Sequence, residues 1–164
     1  MPLAPKHTGL TTVSQPILLW YINQGWPEKI TFSLDEQNSK QIKPIKFEFT
    51  GPSRAGIYQI NLSHRKITLE PGKKYEWFLT VEYRGYTASV SAKIEYKRPD
   101  QALISELGKT QVQRLMFRYA SDSYWYDAVY EAQKQVSNNP SDKISIAQRD
   151  SLLSQIGLKL MLKP

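Results

Sequence analysis

A mainly β fold with an α tail is what this sequence predicts: an antiparallel β-sandwich of about seven strands, followed by about three α-helices packed on it. Three observations carry that expectation. From Tyr75 to Tyr83 the chain alternates with a period of two, with Tyr75, Trp77, Leu79, Val81 and Tyr83 on one face and Glu76, Phe78, Thr80 and Glu82 on the other. Half-buried strands alternate in this way. Turn signals recur roughly every 8–12 residues on either side of that run, as in all-β sandwiches and barrels. After Arg98-Pro99 the apolar spacing becomes that of helices. The chain therefore divides into a β domain over 1–99 and a helical extension over 100–164 docked on it.

The elements follow in order. Pro2 and Pro5 oppose a helix, so residues 1–8 read as an extended lead-in. A short edge strand follows from His7 and ends near Ser14. Gln15-Pro16 breaks it. Ile17-Leu18-Leu19-Trp20-Tyr21-Ile22 is apolar on both faces and too short for a typical helix, which predicts a strand buried on both sides. A turn over Asn23–Pro27 leads to a one-faced strand with Ile30, Phe32 and Leu34 inward, then to a polar hairpin loop from Asp35 to Ser39. Ile45, Phe47 and Phe49 predict the inward row of the next strand, and Tyr58, Ile60 and Leu62 that of another. The Pro71-Gly72 corner feeds the long strand, and Arg84-Gly85 turns it back. Ala88, Val90, Ala92, Ile94 and Tyr96 then share one face.

In the tail, Asp100 is placed to cap a helix. Val112, Leu115, Met116 and Tyr119 form an i, i+3, i+4, i+7 stripe. Trp125, Ala128, Val129, Ala132 and Val136 form a second, ended by Asn138-Asn139-Pro140. Ser141-Asp142 can start a third, with Leu152, Leu153, Ile156 and Leu160 along it. One such helical pair is too few for a repeat array. Alone, these helices would expose their stripes, so docking on the β part is expected.

Composition bounds the chemistry. Of 164 residues 40% are hydrophobic, enough for a core, and cysteine is absent, which excludes disulfides and thiolate chemistry. The longest apolar run has six residues, against ~20 for a membrane-spanning helix. No signal peptide is visible. The net charge of +7 is uneven, with 14 Lys and Arg against 8 Asp and Glu in residues 1–99, and 8 against 7 thereafter. Like charges never run to five, so the excess reads as a solvated face and nucleic acid is not an expected partner.

Two resemblances extend this reading. Leu69-x-Pro71-Gly72-x-x-Tyr75 resembles the corner before strand F in fibronectin type III and other immunoglobulin-like domains. There a tyrosine hydroxyl bonds back to upstream backbone, which casts Tyr75 in that part. A longer set, Leu3-Ala4-Pro5-x-His7-Thr8-Gly9-Leu10-Thr11-Thr12, Gln15–Tyr21, Leu69–Gly72 with Tyr75-x-Trp77, Trp125-Tyr126-Asp127-Ala128 and Gln148–Leu158, is similar to the domain-of-unknown-function family numbered 928. That resemblance implies a bacterial, exported protein with a leader ahead of this domain, and hence a periplasmic or secreted setting. It lends no catalytic residues. The compact Tyr83-Arg84-Gly85-Tyr86 turn departs from the longer, more acidic loop expected there.

No catalytic constellation is legible. The two histidines, His7 and His64, lie far apart, and no metal, phosphate-loop or nucleophile-elbow motif occurs. No cofactor is expected. His7 is expected to make a local structural bond within the Thr8-Gly9 turn, with Trp125 and Asp127 as candidate partners. Trp77 and Trp125 fall on apolar stripes and are expected in the core. Trp26 beside a proline, and Tyr83, Tyr86 and Tyr124 at element ends, are the ligand-binding candidates, because flat aromatics there stack on sugars or anchor interfaces. The expected function is a non-catalytic binding or scaffolding module whose partner is another protein or a cell-envelope component. Carbohydrate binding is the alternative, and a hydrolase with an unrecognised site the third.

Overall fold

The computed structural model describes residues 1–39 and 43–158. Seven strands form two sheets: β1 (Gly9–Thr11), β2 (Ile17–Ile22), β3 (Lys29–Glu36), β4 (Ile45–Thr50), β5 (Gly56–Asn61), β6 (Lys74–Tyr83) and β7 (Tyr86–Tyr96). A five-stranded sheet has the order β1-β7-β6-β3-β4, and a two-stranded sheet pairs β2 with β5. Both contribute to one core, where Leu18, Trp20 and Ile60 meet Phe32, Trp77 and Leu79. The Trp77 row faces inward as its spacing predicts, with Tyr75, Trp77 and Leu79 all buried. At the corner, the Glu70 N–H donates to the Tyr75 hydroxyl (3.1 Å), so Tyr75 ties strand entry to upstream backbone.

The larger sheet is mixed rather than wholly antiparallel, because β1 runs parallel to β7, Gly9 beside Ile94 and Thr11 beside Tyr96. β1 also stops at Thr11, short of Ser14. There the Thr12 backbone and hydroxyl turn away to the Asp127 carboxylate. β3 continues through Glu36, which pairs with Tyr75 and takes Asp35 and Glu36 out of the predicted loop.

Two inward rows are only partly covered. Ile45 is 43% exposed and Val90 41% exposed, and Ala88 is exposed as well. β6 and β7 pair without a break from Lys74·Glu95 to Tyr83·Tyr86, whereas β3 reaches β6 only as far as Val81 and β1 reaches β7 only from Ile94. The hairpin thus outruns its neighbours within the sheet, which leaves Ala88 and Val90 open, while Ile45 opens the sheet's other edge strand, β4.

Among the described residues four α-helices follow, not about three: α1 (Gln101–Lys109), α2 (Leu115–Ser121), α3 (Trp125–Asn138) and α4 (Lys143–Ser154). Asp100 accepts from Leu103 N–H and Asp142 from Ile144 and Ser145 N–H, so both predicted caps form. The extra break falls at Thr110 and Gln111, both extended. Val112 lies in a 3₁₀ turn, 56% exposed, and so drops out of the predicted stripe. Leu160, placed on the α4 stripe by spacing, lies outside the described residues.

The helices cover the second face of β2. Leu18 and Trp20 point into the intersheet core, while Leu19 and Tyr21 pack with Met116, Ala128, Val129 and Leu153. A strand between two apolar layers has no polar face, hence the unbroken run Ile17–Ile22. The lead-in closes the free edge of β2, with Leu3 N–H donating to the Leu19 carbonyl (2.9 Å) and Pro2 bridged to Trp20. Trp125 Nε1 donates in turn to the Leu3 carbonyl (3.0 Å).

One buried relay joins α3 to the larger sheet. Trp77 Nε1 donates to the Tyr126 hydroxyl (2.9 Å), and that hydroxyl donates to the Lys93 carbonyl (3.1 Å). Gly9 makes room for the ring, since a Cβ there would sit 2.9 Å from it. Tyr126→Phe keeps the ring and strands the indole N–H, so it is expected to cost about 1–3 kcal/mol. Tyr130→Phe, a half-exposed control on the same helix, should stay within about 0.5 kcal/mol. Thermal unfolding of both variants measures this, and equal effects would sink the assignment.

Candidate functional site

Three connections meet at one pole of the β part. Lys29 pairs with Thr50, Ile22 with Gly56, and Tyr83 with Tyr86. The β2–β3, β4–β5 and β6–β7 connections are therefore neighbours. Trp26 N–H donates to the Pro52 carbonyl (2.7 Å), which ties the first to the second. The Trp26 ring meets Tyr83 edge-on at 5.6 Å, which ties it to the third. The β6–β7 turn is a two-residue loop with Arg84 at φ 49° and Gly85 at φ 83°, the left-handed pair that suits a twisted hairpin. Arg84 lies 5.0 Å over the Tyr83 ring.

Exposure at this pole is unusual for rings on a regular ladder. Tyr83 is 51% and Tyr86 80% exposed, while Trp26 is half-buried. The Trp26 indole N–H is buried and meets no acceptor among the described residues. Two open phenol rings and a cation thus share one end, with the Trp26 ring packed beside them. Such a surface can stack on flat or apolar ligand faces and donate hydrogen bonds.

A second cluster lies where the β1–β2 connection meets α2 and α3. A cleft of about 200 Å³ is lined by Thr11, Tyr119, Tyr126, Asp127, Tyr130 and Glu131, among others. Asp127 and Glu131 stand one turn apart on α3. Thr12 clamps Asp127 through its N–H (2.9 Å) and its hydroxyl (2.8 Å). Burial nonetheless pushes the Asp127 carboxyl up to about 6, with the threonine bonds pulling the other way. Burial also holds the Tyr119 phenol above its ordinary value. Glu131 Oε2 is buried without a partner among the described residues. With both Asp127 oxygens bonded, the cleft reads as a helix-to-strand clamp.

The sequence candidates separate accordingly. Trp26, Tyr83 and Tyr86 come together at the pole. Tyr124 does not join them: only 5% exposed, it lines another cavity with Lys97, Arg98 and Arg118. It sits just ahead of α3, where the chain packs back on the body. His7 is exposed, and the bond expected of it is made by others, since Thr12 holds Asp127 and Leu3 holds Trp125. Trp125 is half-buried and Trp77 fully buried. Arg84 and Glu131 escaped the sequence reading. The spacing of Asp127 and Glu131 on one helix face was a readable signal, whereas Thr12 gave none. Among the described residues no group of His, Asp and Glu is placed to hold a metal ion, and no helix is long and apolar enough to cross a membrane.

A family model described as Domain of Unknown Function (DUF928) matches residues 1–163. No curated protein matches the chain.

The Asp127 clamp has a pH signature. Its folded-state value, about 6, lies above the ordinary 3.8, so the folded state binds more protons between them. The stability this group contributes is full below 3.8 and is lost as pH rises through about 6. Asp127→Asn removes that dependence. The difference in melting temperature, wild type minus variant, should therefore grow on acidification through this window, by up to roughly 3 kcal/mol in stability. A pH-independent difference would show that the carboxyl titrates normally.

Proposed function

The chain belongs to the DUF928 family, and we propose that it is a non-catalytic binding or scaffolding module that engages its partner through the Trp26–Tyr83–Tyr86 pole. One observation carries this reading: the β6–β7 hairpin runs past its sheet and holds Tyr83 and Tyr86 open on a ladder that is continuous to its last pair. Presenting rings on a rigid ladder lowers the ordering cost of binding. The partner class is another protein or a cell-envelope component, and an extracytoplasmic setting belongs to the same proposal through the family resemblance.

An immunoglobulin-like sandwich is the finer form of the fold within this reading. Its supports are the two-sheet strand order, the parallel β1–β7 edge and the Tyr75 corner bond. In such domains the connections at one end form the binding surface, and the pole occupies the corresponding end in this reading.

Carbohydrate binding is the second reading. It is favoured by two exposed phenol rings that share one sheet face, with the Trp26 ring packed edge-on beside Tyr83. A hydrolase ranks below both, because the exposed His7 and the Thr12-bound Asp127 form no acid–base pair.

Tyr83→Ala with Tyr86→Ala should leave the melting temperature within a few degrees, since both rings are open to solvent. The same pair should abolish capture of the partner from a native envelope fraction. Unchanged capture by the double variant counts against the pole. A glycan array probed with wild type and Trp26→Ala separates the two classes, and an array blank for wild type eliminates the sugar reading.

A further inference from the structure

The β7 edge carries an inference that shares only Tyr86 with the pole. β1 covers β7 only at Ile94, Glu95 and Tyr96. Among the described residues no strand lies along the same edge from Tyr86 to Lys93. Unpaired edges are normally blunted by charge, proline or a bulge. The opposite edge follows that rule, since β4 carries exposed Lys46 and Glu48, pairs Glu48 with Lys29 (3.1 Å), and has Arg65 stacked 4.3 Å over Phe47. The β7 edge does not. Tyr86-Thr87-Ala88-Ser89-Val90-Ser91-Ala92 has no acidic or basic residue and no proline, and its register with β6 has no bulge.

The two faces of this strip differ. Ser89 lies 3.0 Å from Thr80 and Ser91 donates to Glu76 (2.7 Å), which puts the hydroxyls on the outer face. Tyr86, Ala88, Val90 and Ala92 share the inner face, and the first three of them are exposed.

We propose that β7 pairs antiparallel with β7 of a second copy of this chain, about a two-fold axis through Ser89. A two-fold axis normal to the sheet keeps each face with itself, so residues of equal parity oppose each other and the contact is self-complementary. With Ser89 on the axis, Tyr86 falls opposite Ala92 and Val90 opposite Ala88. Every large inner-face side chain then meets a small one, and Thr87 meets Ser91 on the outer face. Moving the axis to Val90 would set Val90 on Val90 and Ala88 on Ala92, wasting that match. The strip brings no like charges together, in a chain of net charge +7. Lys93, at its margin, lies across from Glu76 of its own sheet. Pairing would satisfy the open edge, cover Val90, and extend two five-stranded sheets into one.

Sedimentation equilibrium tests the pairing, and cross-linking tests the register. Wild type should associate reversibly to a dimer. Val90→Lys should raise the dimer dissociation constant on the order of 100-fold, because each copy would bury an ammonium group against the other. The chain has no cysteine, so Ser89→Cys should cross-link to its own copy on mild oxidation, while Ser91→Cys, opposite Thr87, should not. Trp26→Ala, at the pole, should dimerise as wild type does, which separates this proposal from the binding reading. A wild-type monomer at all concentrations, or a Val90→Lys dimer of undiminished strength, overturns the pairing. Preferential cross-linking of Ser91→Cys overturns the register.

Discussion

The hydrogen-bond relay from Trp77 through Tyr126 to the Lys93 carbonyl is what makes one body of two kinds of structure. Trp77 is the largest fully buried side chain among the described residues. Its indole N–H needs an acceptor, and an unmade bond there would cost about 1–3 kcal/mol. The acceptor comes from a helix more than forty residues away, which passes the hydrogen-bond chain on to β7. Since Tyr126 can reach Trp77 only over Gly9, the relay also fixes where β1 lies. Sheet, helix and first strand are thereby placed relative to one another by one phenol.

Around that point the molecule is layered. The five-stranded sheet meets β2 and β5 across the first core, and the helices meet the other side of β2 across the second. β2 is shared between them, so neither the β part nor the helical part has a complete surface without the other. The Asp127 clamp works at the same seam, joining α3 to the residue after β1. A carboxylate is retained there despite its desolvation because it receives two directional bonds. Those bonds specify how the helix seats on the strand.

The larger sheet is open where its neighbouring strands stop short. The β6–β7 hairpin continues past β3 at one side and past β1 at the other. Its end therefore shows the rings of the pole, and its flank shows bare main chain. Both features follow from strand lengths, ten and eleven residues against eight for β3 and three for β1. Both proposed surfaces are what the long hairpin leaves uncovered.

The sequence by itself determined the elements and their buried faces: the period-two row through Trp77, the two-sided run of β2, the Tyr75 corner, the Asp100 and Asp142 caps and the separation into β and helical parts. Those features arise from local periodicity and from side chains that satisfy nearby backbone, so neighbours in sequence carry them. Pairing and layering were decided only in three dimensions. The parallel placement of β1, the break at Thr110–Gln111, the exposure of Val90 and the choice of Thr12 over His7 for Asp127 depend on which distant segment packs against a given surface. So does the gathering of Trp26, Tyr83 and Tyr86 without Tyr124. An aromatic at an element end has the same local signature whether a helix covers it or water does, and the covering layer is supplied by the rest of the chain.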